Sequence, residues 1–583
     1  MLKILKFLKP HIWSVIAVLL LVLSRGVLEI LLPKYMGELI NQGLEQPTGP
    51  NINIMWYYLA IMAGIIIAII IVTVVSRYFE SKVASGFAKT LRSAVYEKIE
   101  SFSLEEMDQF TVSSLITRTT NDIQQLQGYI NIMLGWLFLQ PIMAIGAIIM
   151  AFRVNASLSM VLIISLSSLL IVVISVYLVI LPQFKKLQVL VDKMNLTTRE
   201  NLTGLRVVRA HNTEKFQEER FNEVNLENRR LNIFVGRFNS ILWPAIGLIM
   251  GFTSLAIVYL SGTKYIDFVN KVGMQPSDMF ALQQYSMRAI MSLMFITMIF
   301  LMIPRAKVSA DRIMAVLEME PKIKASNNPI KIDLDKIKGK ITFEDVCFKY
   351  SDADASVIDN INFTAEAGKT TAFIGSTGSG KSTLVNLIPR FYDVTCGNIY
   401  IDDYNIKDLS FDDLYSLIGY VPQQGILFSG TIKENIAFGK NSFEENVLKS
   451  AEIAQAKTFI ESFNEQYETD IAQGGTNVSG GQRQRISIAR AINKQPKIFI
   501  FDDSFSALDY QTDKNLRNAL KDISATKLIV AQRINTIKNA DQIIVLNNGE
   551  IVGIGTHQQL LKTCSVYQEI ASSQLSKEEL ENE

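Results

Sequence analysis

The stretch Gly375-Ser376-Thr377-Gly378-Ser379-Gly380-Lys381-Ser382 has the residues to hold a chain of phosphates. Glycines let backbone N–H groups wrap anionic oxygens. Lys381 reaches toward the outer phosphates, and the Ser382 hydroxyl suits Mg2+. Thr371–Ile374 reads as a strand before the loop, and the residues from Ser382, with Thr383 next, read as a helix after it. That strand–loop–helix context is what the chemistry requires. A second feature is Lys497-Ile-Phe-Ile-Phe-Asp502, an apolar strand ending in a carboxylate. Such a carboxylate holds Mg2+ from the side opposite the loop. Many strands end in Asp, so this feature gains weight only beside the first. Together they make ATP and Mg2+ the expected ligands.

The elements that must position these residues follow from composition. The chain has 583 residues, 49% of them apolar, and a formal net charge of +1. Near-neutral charge gives no nucleic-acid signal. The apolar excess lies almost entirely before residue 305. A bilayer crossing needs roughly 20 apolar residues. Runs of that kind lie near 13–36, 56–79, 130–152, 157–182, 238–262 and 278–303. Trp13, Trp56, Trp136 and Trp243 sit near run starts, where an interfacial aromatic belt would place them. Leu2–His11 reads as a short amphipathic helix on the membrane surface.

Orientation follows from the loops. Residues 37–55 carry neither Lys nor Arg, whereas 183–237 are rich in both. The positive-inside rule places that long segment, the connection 80–128, the N-terminus and the C-terminal domain in the cytoplasm. The chain then reads as a multi-pass protein of the plasma membrane. The two long connections are expected to continue the membrane helices into the cytoplasm, with turns near Met107–Leu115 and His211–Arg220 as contact points for a cytoplasmic engine. Residues 1–304 form the membrane domain and 305–339 a linker. From 340 to 575, alternating strand and helix patterns predict an α/β domain with a parallel sheet. Residues 576–583 are a charged tail. The three cysteines, Cys347, Cys396 and Cys564, lack metal-ligand spacing. A reducing cytoplasm argues against a disulfide framework.

Between the two phosphate elements lies Asn477-Val-Ser479-Gly480-Gly481-Gln482, followed by Arg-Gln-Arg. It closely resembles the signature of ATP-binding cassette transporters and is far more specific than the glycine loop. Tyr350 resembles the aromatic residue that stacks on adenine. Gln423 resembles the glutamine that senses γ-phosphate and metal. Ser506-Ala-Leu-Asp509 resembles the loop joining two nucleotide sites. The resemblance covers essentially the whole chain, whose membrane part is similar to that of six-helix exporters. It implies two cassettes arranged head to tail. Each ATP then lies between the loop of one chain and the signature of the other, with Ser479 and the glycine N–H groups at a positive helix end.

Two positions depart from that pattern. Asp503 stands where the family has a glutamate base, one methylene longer. Gln532 stands where the family has histidine; an amide donates a hydrogen bond but takes up no proton. Gln473 replaces a glutamate common in exporters. The implied assembly is a heterodimer with a second half-transporter chain that supplies Glu and His. This chain's own site would be the impaired one, and its signature would complete the competent one. Neutral drift in an active homodimer is the alternative.

The cargo signals are weaker. Met287, Met291, Met294 and Met298 share one face of the sixth run, with Arg288 beside them; Arg25 and Glu29 are four apart in the first. Methionine suits varied apolar ligands, and intramembrane charges face cavities or partners. An amphipathic drug- or lipid-like cargo is expected, in contact with membrane lipid. Helix packing, lipid contact and a structural ion pair are the plainer readings. An importer on the same fold and a receptor-like ATP sensor are also compatible with the sequence.

Overall fold

The structure, a computed structural model, describes residues 2–44, 49–269, 275–300, 302–326, 328–351, 353–439 and 443–575. The tail 576–583 lies outside them. The chain divides into two compact units, one of residues 1–100 with 110–319, the other of 101–109 with 320–583.

Among the described residues of the first unit, six helices are long and apolar enough to cross a membrane. They overlap the six runs predicted from hydropathy. All six run 42–50 residues, far longer than a bilayer crossing, and three of them are unbroken α-helices: Ile52–Glu100, Ala156–Thr203 and Glu214–Val269. The 49-residue Ile52–Glu100 spans roughly 70 Å of helix against a hydrocarbon core of about 30 Å. The long connections therefore are helix extensions. Leu2–His11 is a short 3-10 helix. The core is built where small residues let helices approach. Ala147, Ala151, Leu158, Leu162, Ile257, Leu282, Tyr285 and Ala289 pack together. A Cβ at Gly146 would meet the terminal methyl of Ile30, so the glycine lets that side chain lie directly against the helix.

The segment 305–339 is not linker throughout. A helix runs over Ile303–Glu318 and belongs to the first unit. Its buried Ala306, Ser309, Ala310 and Ile313 repeat at helical spacing beneath the charged residues.

The strands of the second unit are, in chain order, β1 (Ile341–Phe348), β2 (Ile358–Ala365), β3 (Thr370–Gly375), β4 (Cys396–Ile401), β5 (Tyr404–Asn405) and β6 (Ile418–Val421). There follow β7 (Gly430–Thr431), β8 (Asp470–Ile471), β9 (Ile498–Asp502), β10 (Thr526–Val530), β11 (Gln542–Asn547) and β12 (Glu550–Gly555). The main sheet has the order β12-β11-β3-β10-β9-β6, parallel except for β12. All five residues of β9 and all five of β10 are buried, as expected of a parallel sheet covered on both faces. A second, antiparallel sheet runs β2-β1-β4-β5.

The cysteine expectation is corrected here. Cys347 and Cys396 are joined by a disulfide with Cα atoms 5.0 Å apart. They face each other in the β1–β4 register, a relation that their separation of 49 residues conceals. Cys564 is free and buried.

The second unit also holds Ser101–Gln109, from the tip of the first long connection. Glu106 is 1% exposed and accepts the backbone N–H of Lys322 at 3.0 Å and of Ser103 at 2.8 Å. Burial opposes its charge, yet these bonds and the Ser103 hydroxyl hold its carboxyl below the usual range. The Lys322 ammonium pairs with Glu105.

Candidate nucleotide site

The order β3-β10-β9-β6 explains why distant residues meet. Four parallel strands end at the same sheet edge, where open α/β sheets bind ligands. The end of β3 releases the glycine loop. Just beyond β10 comes Gln532, β9 ends in Asp502, and Gln423 follows β6.

The loop turns on Gly378 at φ +85° and Gly380 at φ +92°, conformations that a side chain resists. The helix Lys381–Leu387 starts at once. Lys381 is 9% exposed and folds back over the loop. Its ammonium donates to the carbonyls of Gly375 (3.0 Å) and Ser376 (2.7 Å) and to Ser379 Oγ (3.2 Å). Burial lowers its pKa, while Asp503 and Asp502 act in the other direction.

Ser382 donates to Asp502 Oδ1 at 2.7 Å. A hydroxyl and a carboxylate side by side form an oxygen pair suited to Mg2+, which takes one or two carboxylates plus substrate phosphates rather than an all-protein cage. Among the described residues no cluster of three or more His, Cys, Asp or Glu exists that could hold a metal alone. The donor set fits Mg·ATP. Ser382 and Asp502 would hold the ion, with Gln423 nearby, and the ion would neutralise phosphate charge.

Asp503 sits in the left-handed region at φ +46° and is 7% exposed. Its Oδ2 accepts the Gln532 amide at 2.8 Å and the Gln423 amide at 3.4 Å. Burial raises its pKa and neighbouring Asp502 raises it further; burial likewise raises that of Asp502. With folded values above unfolded ones, both acids favour folding only when protonated. That contribution is complete below the unfolded carboxylate range and disappears as pH rises through the folded values. At neutral pH the paired charges therefore cost stability. Asp503→Asn is expected to stabilise the nucleotide-free protein. Asparagine tolerates φ > 0 and still accepts from Gln532. A gain of about 1 kcal/mol would raise the melting temperature by roughly 2–4 °C, measurable by thermal shift at neutral pH.

Tyr350 shares a hydrogen bond with Thr383 at 3.0 Å, which ties the tyrosine to the loop helix. Tyr392 stands edge-on to it at 5.3 Å. Its hydroxyl is pushed up to about 12 by burial, with Tyr350, Asp108 and Glu105 adding to the effect. Neither Tyr392 nor Tyr420 stood out in the sequence. The Tyr420 hydroxyl donates to Asn386 at 3.0 Å and lies against Asp502. For Tyr420 the one sequence cue was its place two residues ahead of Pro422-Gln423.

The signature begins the helix Gly480–Asn493 with a reciprocal cap. Ser479 Oγ accepts from Gln482 N–H at 3.2 Å, and Gln482 Oε1 accepts from Ser479 N–H at 2.8 Å. Ser479 and Gly480 are exposed. Among the described residues no hydrogen bond joins Ser479–Gln482 to the glycine loop. Ser506 donates to the Asp503 carbonyl at 2.8 Å. Asp509 caps the helix Tyr510–Lys521 through Thr512 N–H at 3.0 Å, a bond that lowers its pKa.

In the membrane unit Arg25, Glu29 and Arg288 come together. Met287, Met291 and Met298 are exposed, whereas Met294 packs on Leu169, Ile246 and Ile290.

Comparison with known proteins agrees with both units. Residues 15–294 match the ABC transporter transmembrane region and 358–506 the ABC transporter family. An uncharacterized ABC transporter ATP-binding protein of Mycobacterium tuberculosis is 35% identical over 572 residues, covering 97% of each chain. Another, YfiB of Bacillus subtilis, is 33% identical over 577 residues and 99% of each. An ATP-dependent lipid A-core flippase of Syntrophus aciditrophicus is 32% identical over 502 residues, 85% of this chain and 81% of its own. A bacterial Atm1-family ABC exporter solved with ATP bound shares the fold, with a TM-score of 0.80 at 21% identity, over 98% of this chain and 99% of its own. With its six apolar helices fused to a parallel-sheet ATP site, this chain belongs to the ABC transporters, multi-pass membrane proteins that couple ATP hydrolysis to transport, and has the fold of their exporters.

Proposed function

We propose that this chain is one subunit of a heterodimeric exporter that moves amphipathic, drug- or lipid-like compounds outward across the plasma membrane. Its own Mg·ATP site is the slow one, and its signature serves the partner's competent site. The ATP domain, the N-terminus and the long helix extensions lie in the cytoplasm, as the Lys/Arg asymmetry requires. The carrying observation is the Asp503–Gln532 bond of 2.8 Å. The carboxylate that would activate water is one methylene short of glutamate and is engaged by an amide that accepts no proton. A general base out of reach of its proton loses a factor of about 10²–10⁴. The lipid A-core flippase among the relatives supports a lipid-like cargo.

The test is to purify the chain alone and together with a second half-transporter that carries Glu and His at the equivalent positions. Hydrolysis by the chain alone is expected to be at least about 100-fold slower than by the pair. Comparable turnover in both preparations would overturn the unequal-site reading.

A further inference from the structure

Arg25 stands near the middle of the apolar run 13–36, and Arg288 near the middle of the run 278–303. Each has roughly 15–22 Å of its apolar run on either side, which places both guanidinium groups near the centre of a bilayer core about 30 Å thick. Glu29 receives both. Arg25 Nε donates to its Oε1 at 2.8 Å, and Arg288 Nη1 to its Oε2 at 3.3 Å. Among the described residues no other acid pairs with either arginine. The cluster therefore holds two positive charges and one negative. By contrast Arg77 and Glu80, at the end of the second run, pair one to one at 2.9 Å.

An uncompensated charge at mid-bilayer is among the costliest placements in a membrane protein, and it marks a site where the balancing charge arrives. The three side chains are 22, 18 and 28% exposed, in the order Arg25, Glu29, Arg288. They remain reachable from outside the packed unit. Each guanidinium has five N–H donors and gives one to Glu29, which leaves forks suited to bidentate oxyanion recognition. Met287 precedes Arg288 and Met291 lies one turn on; both are exposed. A flexible apolar strip thus adjoins the charged group. Tyr285, fully buried and bonded to the Ile30 carbonyl at 3.3 Å, fixes the sixth helix against the first.

We infer that Arg25, Glu29 and Arg288 form a subsite for the headgroup of a monoanionic amphiphile, a phosphodiester or carboxylate, whose apolar chain lies along Met287 and Met291. A single negative charge makes the assembled cluster neutral. Glu29 has two roles in this reading. It orients both forks, and it lowers the site's charge so that a monoanion suffices. The inference rests on the transporter reading above and adds the cargo's charge.

The experiment uses the assembled transporter in nanodiscs of zwitterionic lipid, with lysophosphatidylglycerol and lysophosphatidylcholine of the same acyl chain as probes. Binding and stimulation of ATP hydrolysis are both measured. The anionic probe is expected to bind about tenfold more tightly than the zwitterionic one. Arg288→Gln should bring the two within about twofold while leaving the zwitterionic affinity in place. Glu29→Gln, which raises the site's charge, should widen the anionic preference. A structural ion pair would not produce that opposite response. Inorganic phosphate should compete poorly, because it lacks the chain; competition at equal concentration would overturn the amphiphile assignment. Equal affinity for the two probes in the unmodified protein, or a preference unchanged by Arg288→Gln, would overturn the subsite. Failure of every amphiphile to stimulate hydrolysis would instead count against the exporter reading itself. Stimulation without headgroup preference would sink only the present inference.

Discussion

Gly480→Asp is expected to lower ATP turnover of the assembled transporter by about 100-fold or more, whereas Asp503→Asn is expected to change it less than about threefold. A Cβ at Gly480 meets nothing within 4 Å in its own chain. Its position, first in the helix Gly480–Asn493, even favours an acid, because the helix dipole is positive there. The variant therefore folds, and its thermal stability is expected to be unchanged or slightly raised. On the proposed heterodimer reading, the damage falls on the partner's nucleotide. A carboxylate would stand where, in the proposed assembly, the exposed N–H groups and Ser479 meet a γ-phosphate, and like charges would replace a charge-assisted contact. Asp503 belongs to this chain's own site, where Gln532 and Gln423 already occupy its Oδ2. Removing its charge changes little if turnover happens elsewhere. Steady-state ATPase of the two assembled variants decides the matter. Equal losses in both would mean that the sites contribute equally.

The second large effect is structural. Gly375→Ala is expected to abolish ATP binding at this chain's site and to destabilise the nucleotide domain by about 3 kcal/mol. For a domain of this size the melting temperature should fall by roughly 6–12 °C. The added Cβ would stand 2.1 Å from the Leu546 carbonyl and 2.8 Å from Ser379 Oγ. Neither neighbour gives way cheaply. Gly375 and Leu546 are directly paired in the β3–β11 ladder, so relief must open the main sheet at the edge where the phosphate loop begins. Gly378→Ala is the control. It meets nothing within 4 Å, but φ is +85°. Its cost is the backbone term alone, about 1 kcal/mol. Nucleotide binding by fluorescent ATP analogue and thermal unfolding distinguish the two. A Gly375→Ala protein as stable as Gly378→Ala would contradict the sheet-opening argument.

The elements legible in the sequence are those whose cause is local. A helix that crosses a bilayer announces itself by its own run of apolar residues, so the six spans needed no tertiary information. The glycine loop was equally readable. Its chemistry depends on backbone conformations that Gly378 and Gly380 supply within a few residues of Lys381. The signature helix carries its own start signal, since Ser479 and Gln482 cap each other. The change from apolar helices to alternating strands revealed the fused α/β domain for the same reason.

What stayed hidden depends on register and on which strands become neighbours. Composition over 305–339 suggested a linker, yet buried small and apolar residues at helical spacing keep Ile303–Glu318 helical and in the membrane unit. Cys347 and Cys396 were expected free, and the pairing of β1 with β4 sets them face to face. Asp503 and Gln532 were each recognisable as departures. Only the adjacency of β9 and β10 shows that one holds the other at 2.8 Å. Glu29 could be paired with Arg25 from their spacing alone; that it also takes Arg288, 259 residues away, required the first and sixth helices to pack. Local backbone chemistry and hydropathy thus determined from sequence that this chain is membrane helices joined to a phosphate-binding engine. The partners of its charged and polar groups were decided by tertiary packing, because a hydrogen bond or ion pair needs a distance that no sequence separation encodes.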